Sequence, residues 1–141
     1  MLTDRLLILA GLALAIALVW LALHAWRAWR LAALRAHTPF GAILPPGRPA
    51  VVAFSTSTCA ECRTRQMPAL VRLSPELGSA VTVRTLLAPE YPELVDRLGV
   101  LTVPATAVVD AHGAVRRLNL GFADAARLAA QVRELIPAAR G

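Results

Sequence analysis

The sequence predicts an α/β domain of four strands flanked by helices, preceded by one N-terminal transmembrane helix. Three observations predict it. An uncharged apolar run lies near the amino terminus, short apolar runs alternate downstream with helix-periodic segments, and a C-x-x-C pair falls where the first such strand gives way to a helix. At 141 residues the chain has room for one compact domain plus an appendage. Hydrophobic residues make up 57% of it and the mean hydropathy is +0.56. That exceeds the ~45–50% apolar usage of an average soluble domain and points to a membrane segment rather than disorder.

The anchor comes first. From Leu6 to Leu23 eighteen residues carry no charge, and at a helical rise of ~1.5 Å per residue they span ~27 Å of a ~30 Å hydrocarbon layer. Trp20, Trp26 and Trp29 lie at or just beyond the downstream end, where indole rings favour the headgroup region. Arg27, Arg30 and Arg35 follow and can snorkel to anionic lipid. A cleavable signal peptide fits less well, because Asp4 offsets Arg5 and no clean small-x-small cleavage site follows the apolar segment before the bulky His24-Ala25-Trp26-Arg27 run. Residues 1–36 therefore read as a single-pass cell-membrane anchor with a basic juxtamembrane helix. More arginines follow the apolar run than precede it, which places the C-terminal domain on the cytoplasmic side, with an extracytoplasmic domain as the alternative.

The net charge of +6 comes from fifteen basic residues, all arginine, against nine acids. It does not describe a nucleic-acid binder. From Thr38 onward eleven arginines face eight acids, they are scattered, and all three tryptophans lie in the first thirty residues. A basic stripe interleaved with exposed aromatics is missing.

Residues 37–49, with four prolines and two glycines, predict an extended linker, and the domain itself is expected over 50–141. Val51 to Phe54 is a short apolar run of the buried-strand type, and Ser55-Thr56-Ser57-Thr58 ends it. A helix is expected from Cys59 to about Leu77, with a kink at Pro68 and a stop at Gly78. Val81 to Leu87 reads as a strand, Glu93 to Leu98 as a short helix ended by Gly99, and Ala105 to Val109 as a third strand. The Ala111-His112-Gly113 turn leads into a fourth strand, Val115 to Leu120, making a hairpin. A last helix is capped by Asp124, buries Leu128, Val132, Leu135 and Ile136, and closes at Pro137.

Cys59 and Cys62 are the only cysteines. At a helix start the unpaired backbone N–H groups and the macrodipole favour a thiolate, so Cys59 is the attacking thiol. Cys62, one turn in, is placed to resolve the mixed disulfide that Cys59 forms with a substrate. Competing readings are a zinc site, for which two cysteines and the dispersed His24, His37 and His112 supply a poor ligand set, and a static disulfide closing a small loop. Haem attachment through this motif is excluded, because the residue after Cys62 is Arg63 rather than histidine. Glu61 opposes a nearby thiolate, whereas Arg63 and Arg65 favour one.

With these residues in hand, the stretch from about Ala50 to Ile136 resembles the thioredoxin-like family. The strand VVAF leads into Cys59-Ala60-Glu61-Cys62. Leu98-Gly99-Val100 precedes Thr102-Val103-Pro104-Ala105-Thr106, which is similar to the family's cis-proline loop, and Asn119-Leu120-Gly121 precedes the last helix. The resemblance implies a four-stranded mixed sheet, trimmed of the first strand and helix of full-length thioredoxins. It also implies a cis Val103–Pro104 bond beside the cysteines, with Val103, Pro104, Ala60 and Glu61 contacting substrate and the proline keeping metals off the pair. Four positions depart from the family: Thr58 replaces the usual aromatic, Ala53 the buried acid that assists proton transfer, and Ala60-Glu61 the usual Gly-Pro.

The expected activity is membrane-tethered thiol–disulfide exchange through Cys59 and Cys62, acting as a reductant of protein disulfides. It needs no cofactor and takes electrons from a donor such as a thioredoxin reductase or a membrane thiol carrier. A redox-inert binding or scaffold module and an outward-facing oxidant are the alternatives.

Overall fold

A computed structural model describes residues 1–36 and 39–136. The chain divides into two units, Met1–Ala33 and Leu34–Gly141. All of the first but Met1 lies within one helix, α1 (Leu2–Ala36), whose side chains are exposed from Leu2 through Trp29. Its stretch Leu2–Ala33 is long and apolar enough to cross a membrane. Near its downstream end Trp20 stacks on His24 with ring centroids 5.2 Å apart, and the Arg30 guanidinium lies 5.1 Å from the Trp26 ring. Such cation–π packing one turn apart covers indole surface with a charge suited to the headgroup zone.

The second unit carries β1 (Ala50–Ser55), α2 (Met67–Leu77), β2 (Thr82–Leu87), α3 (Pro92–Leu98), β3 (Ala105–Val109), β4 (Val115–Leu120) and α4 (Ala125–Arg133). The sheet order is β2-β1-β3-β4. β1 runs parallel to β2 and antiparallel to β3, and β3 is antiparallel to β4. This is the mixed four-stranded sheet expected. The parallel pair requires a crossover, which α2 supplies, while β3 and β4 join through a tight turn.

β1 is buried on both faces, which explains its unbroken apolar sequence. Val52 and Phe54 look into one cluster with Leu94 and Leu98 of α3, and Val51 and Ala53 into another with Leu70 and Leu73 of α2 and Leu128 and Val132 of α4. The alternation along a strand thus assigns α3 to one face and α2 with α4 to the other.

Residues 39–49 differ from the extended linker expected. Pro39 to Ile43 form turns in which the N–H groups of Ile43 and Leu44 both donate to the Phe40 carbonyl at 2.9 Å. The Phe40 ring is fully buried in the α3-side cluster. Proline content disfavours helix but not turns, and burying the Phe40 ring offsets part of the cost of ordering the segment.

The helical segment after Cys59 also differs in detail. Residues Cys62–Gln66 form a π-helical turn in which the Met67 N–H reaches back to the Cys62 carbonyl. Pro68 follows directly and has no N–H to restore ordinary spacing, so the irregularity sits one turn before the proline expected to cause it. Gly99 caps α3 in the left-handed conformation at φ 69°, as a C-terminal glycine should. α4 ends at Arg133, earlier than expected; Leu135 and Ile136 still pack partly buried on the α2/α4 cluster. Pro137 and His37 lie outside the described residues.

The β3–β4 turn is organised by Asp110. Its Oδ1 accepts from the N–H groups of His112 (2.9 Å) and Ala114 (3.0 Å), and its Oδ2 from Nε of Arg116 at 2.7 Å. Burial pushes the carboxyl up, but the Arg116 hydrogen bond, the two backbone donors and the arginine's charge outweigh it, holding Asp110 below the usual carboxylate value.

Candidate redox site

The cysteines lie where β1 leaves the sheet. After Ser55 the chain makes a turn closed by the Cys59 N–H on the Thr56 carbonyl at 3.3 Å, and the helix begins at Ala60. Cys59 is partly exposed and Cys62 is buried. The two are joined in a disulfide with their Cα atoms 5.3 Å apart. The backbone N–H of Cys62 donates to Sγ of Cys59 at 3.1 Å, the bond that an oxygen makes at an ordinary N-cap. In the reduced pair the same donor, with the helix start behind it, stabilises negative charge on that sulfur. Accessibility and charge stabilisation both favour Cys59 as the attacking atom, and burial favours Cys62 as the one that attacks only within the protein.

The register of the sheet decides what shares this end. Phe54 of β1 pairs with Ala105 of β3, which pairs with Leu120 of β4, so Pro104 and Gly121 lie at the same end of the sheet as Ser55. The Val103–Pro104 peptide bond is cis. The Pro104 carbonyl accepts from the Gly121 N–H at 2.9 Å. Pro104 is buried, while Val103 is half-buried and Thr102 exposed. Two loops that are distant in sequence are thereby locked to each other on the cysteine side of the sheet.

Ala60 and Glu61 are exposed on the first helical turn. The tuning expected of the neighbouring charges is divided. Arg65 pairs with Glu61 at 3.0 Å and lies 4.2 Å from the centre of the Phe122 ring, whereas Arg63 donates to the Ser57 carbonyl at 3.4 Å and meets no acid among the described residues. Glu61 and Arg65 offset one another, which leaves Arg63 as the cation next to the pair. His24 lies on α1 and His112 in the β3–β4 turn that Asp110 holds.

One site residue carries no signal in the motif. Gln66, 2% exposed, donates through Nε2 to the Ala123 carbonyl at 3.0 Å and accepts at Oε1 from the Ala123 N–H at 3.1 Å. It ties the cysteine helix to the segment that follows Gly121. A polar residue on the buried side of an otherwise apolar helix is the only trace of this in the sequence. A separate cavity of about 360 Å³, lined by residues including Ile43, Glu90, Tyr91 and Arg97, touches neither cysteine.

A four-stranded mixed sheet with flanking helices, a C-x-x-C disulfide at a strand-to-helix junction and a cis-proline at the same sheet end define a thioredoxin-like fold. Solved structures agree. The domain is similar to the exposed lipoprotein thioredoxin of Streptococcus pneumoniae, with a TM-score of 0.55 and 19% identity over 63% of this chain and 86% of that one. It is similar to chloroplastic thioredoxin z, with a TM-score of 0.54 and 22% identity over 63% and 79% of the two chains. The thioredoxin of Fasciola hepatica gives a TM-score of 0.55 at 21% identity over 64% and 84%. No family model and no curated protein sequence matches the chain.

Proposed function

We propose that this protein is a membrane-tethered thiol–disulfide oxidoreductase that reduces disulfides of protein clients. The arrangement of the pair carries the reading: the sulfur of a partly exposed Cys59 receives a backbone N–H, and a buried Cys62 lies one turn away. In the reduced pair the Cys59 thiolate attacks one sulfur of a client disulfide. A Cys59–client bond forms, and the other client sulfur leaves as a thiolate. Cys62 then attacks Cys59, the internal disulfide forms, and the second client sulfur departs. The client gains two electrons and the cysteine pair loses them.

The loop Thr102-Val103-Pro104 supports extended-strand recognition of the client, because the Val103 backbone lies where β3 begins and can pair with a passing segment. Ala60 and Glu61 line the approach to Cys59. The apolar α1 helix, with its tryptophans and arginines, supports a retained anchor in contact with membrane lipid, which limits clients to those near the membrane surface. Electrons return from a thioredoxin reductase if the domain faces the cytoplasm, the side the arginines favour, or from a membrane thiol carrier if it faces outward.

The test is insulin reduction by the full chain in detergent micelles. Cys59→Ser abolishes it, whereas Cys62→Ser accumulates mixed disulfides that a gel shift reveals. Turnover retained by Cys59→Ser would overturn the proposal. Labelling of intact cells and broken membranes with an impermeant maleimide reads the side of the membrane.

A further inference from the structure

The buried Cys62 must lose its proton to act as a nucleophile, and its surroundings restrict where that proton can go. A recess of about 10 Å³ adjoins it, lined by Ala53 and Ser55 of β1, Gln66 and Met67 of the helix and Thr85 of β2, among others. That is close to the volume one water needs. Among the described residues, none that lines it is titratable besides the cysteine. Both polar atoms of Gln66 are committed to Ala123, so it cannot turn to relay a proton. The Ser55 hydroxyl donates to the Thr56 carbonyl and keeps its lone pairs, and Thr85 is exposed. The charged neighbours are engaged elsewhere or lie outside the lining: Glu61 is held by Arg65, Arg63 reaches the Ser57 carbonyl, and Arg84, which precedes Thr85 on β2, bonds the Ile43 carbonyl at 2.7 Å.

From this geometry we infer that the Cys62 proton leaves through the recess on water bonded by Ser55 and Thr85, with no side-chain base. The inference rests on the exchange reading and specifies its second step. Water takes the thiol proton, the Cys62 thiolate attacks Sγ of Cys59, the Cys59–Cys62 bond forms and the Cys59–client bond breaks. The bonding pair goes to the client sulfur, which takes a proton from solvent. Ser55 and Thr85 are positioning residues for the water.

Stopped-flow mixing of the reduced full chain in micelles with dithio-bis-nitrobenzoate separates the two steps. One coloured thiolate is released when Cys59 attacks and a second when Cys62 resolves; Cys62→Ser, which shows only the first, assigns the phases. The Ser55→Ala/Thr85→Val double variant is expected to slow the second release about tenfold and leave the first unchanged, a modest share of what proton-transfer catalysis supplies. In the unaltered chain the second rate is expected to climb steadily with pH from about 5 to about 8, with no bend between about 5 and about 7, where a buried carboxylate base would titrate. A second release unchanged in the double variant, or a bend in that range, overturns the inference. Absence of both releases in the unaltered chain overturns the exchange reading itself.

Discussion

Gln66 and Ala123, 57 residues apart, are joined by two hydrogen bonds that use both ends of one side-chain amide and both backbone groups of one residue. The pairing is buried, so nothing else satisfies those groups. Gln66→Ala leaves a donor and an acceptor without partners and is expected to cost about 3 kcal/mol, read as a lower denaturant midpoint. The segment after Gly121 should also gain amide hydrogen exchange, because its tie to the cysteine helix is gone.

Gly121 sits at φ 94° with open space where a Cβ would project, so the backbone and not crowding selects glycine there. Gly121→Ala is expected to destabilise by about 1–2 kcal/mol, measured by thermal unfolding. Since the Gly121 N–H holds the Pro104 carbonyl, insulin reduction should fall further than the loss of folded protein explains.

Asp110 makes the β3–β4 turn sensitive to acid. Its folded pKa lies below the ordinary value of 3.8, so its contribution is fully present above that value and is lost as pH falls through the folded pKa. Asp110→Asn cannot pair with Arg116 as an ion and is expected to lose about 2 kcal/mol at neutral pH. The gap in urea midpoint between the two proteins should narrow as pH falls from about 7 to about 3; a constant gap would contradict this account.

Phe40 is fully buried against Phe54, Leu94 and Leu98 of the core. Phe40→Ala is expected to cost about 3–5 kcal/mol through lost burial and the cavity left behind, visible in the melting temperature. If residues 39–49 were only a spacer, the substitution would be silent.

The elements that could be read directly are those whose periodicity is local. The runs Ala105–Val109 and Val115–Leu120 appear as strands at the bounds expected, because alternating and β-branched apolar residues express a strand without reference to the rest of the chain. Asp124 caps α4 as expected, its carboxylate accepting from the Arg127 N–H at 2.8 Å. Phe40 was not legible, because a lone aromatic among prolines has no period. The π turn at Cys62–Gln66 was not legible either, because backbone spacing within a helix leaves no compositional mark.

The sequence by itself determined the apolar helix, the alternation of strands and helices, and the two thiols at a strand-to-helix junction, since each follows from residues within a few positions of one another. Tertiary structure alone decided that the Gly121 N–H holds the Pro104 carbonyl at the sheet end of Cys59, that Gln66 holds Ala123, that Arg65 spends its charge on Glu61 and Phe122, and that among the described residues no titratable side chain other than the cysteine lines the recess beside Cys62. These are relations mainly between segments distant along the chain. Strand register and helix packing bring such segments together, and register depends on the burial of both sheet faces at once.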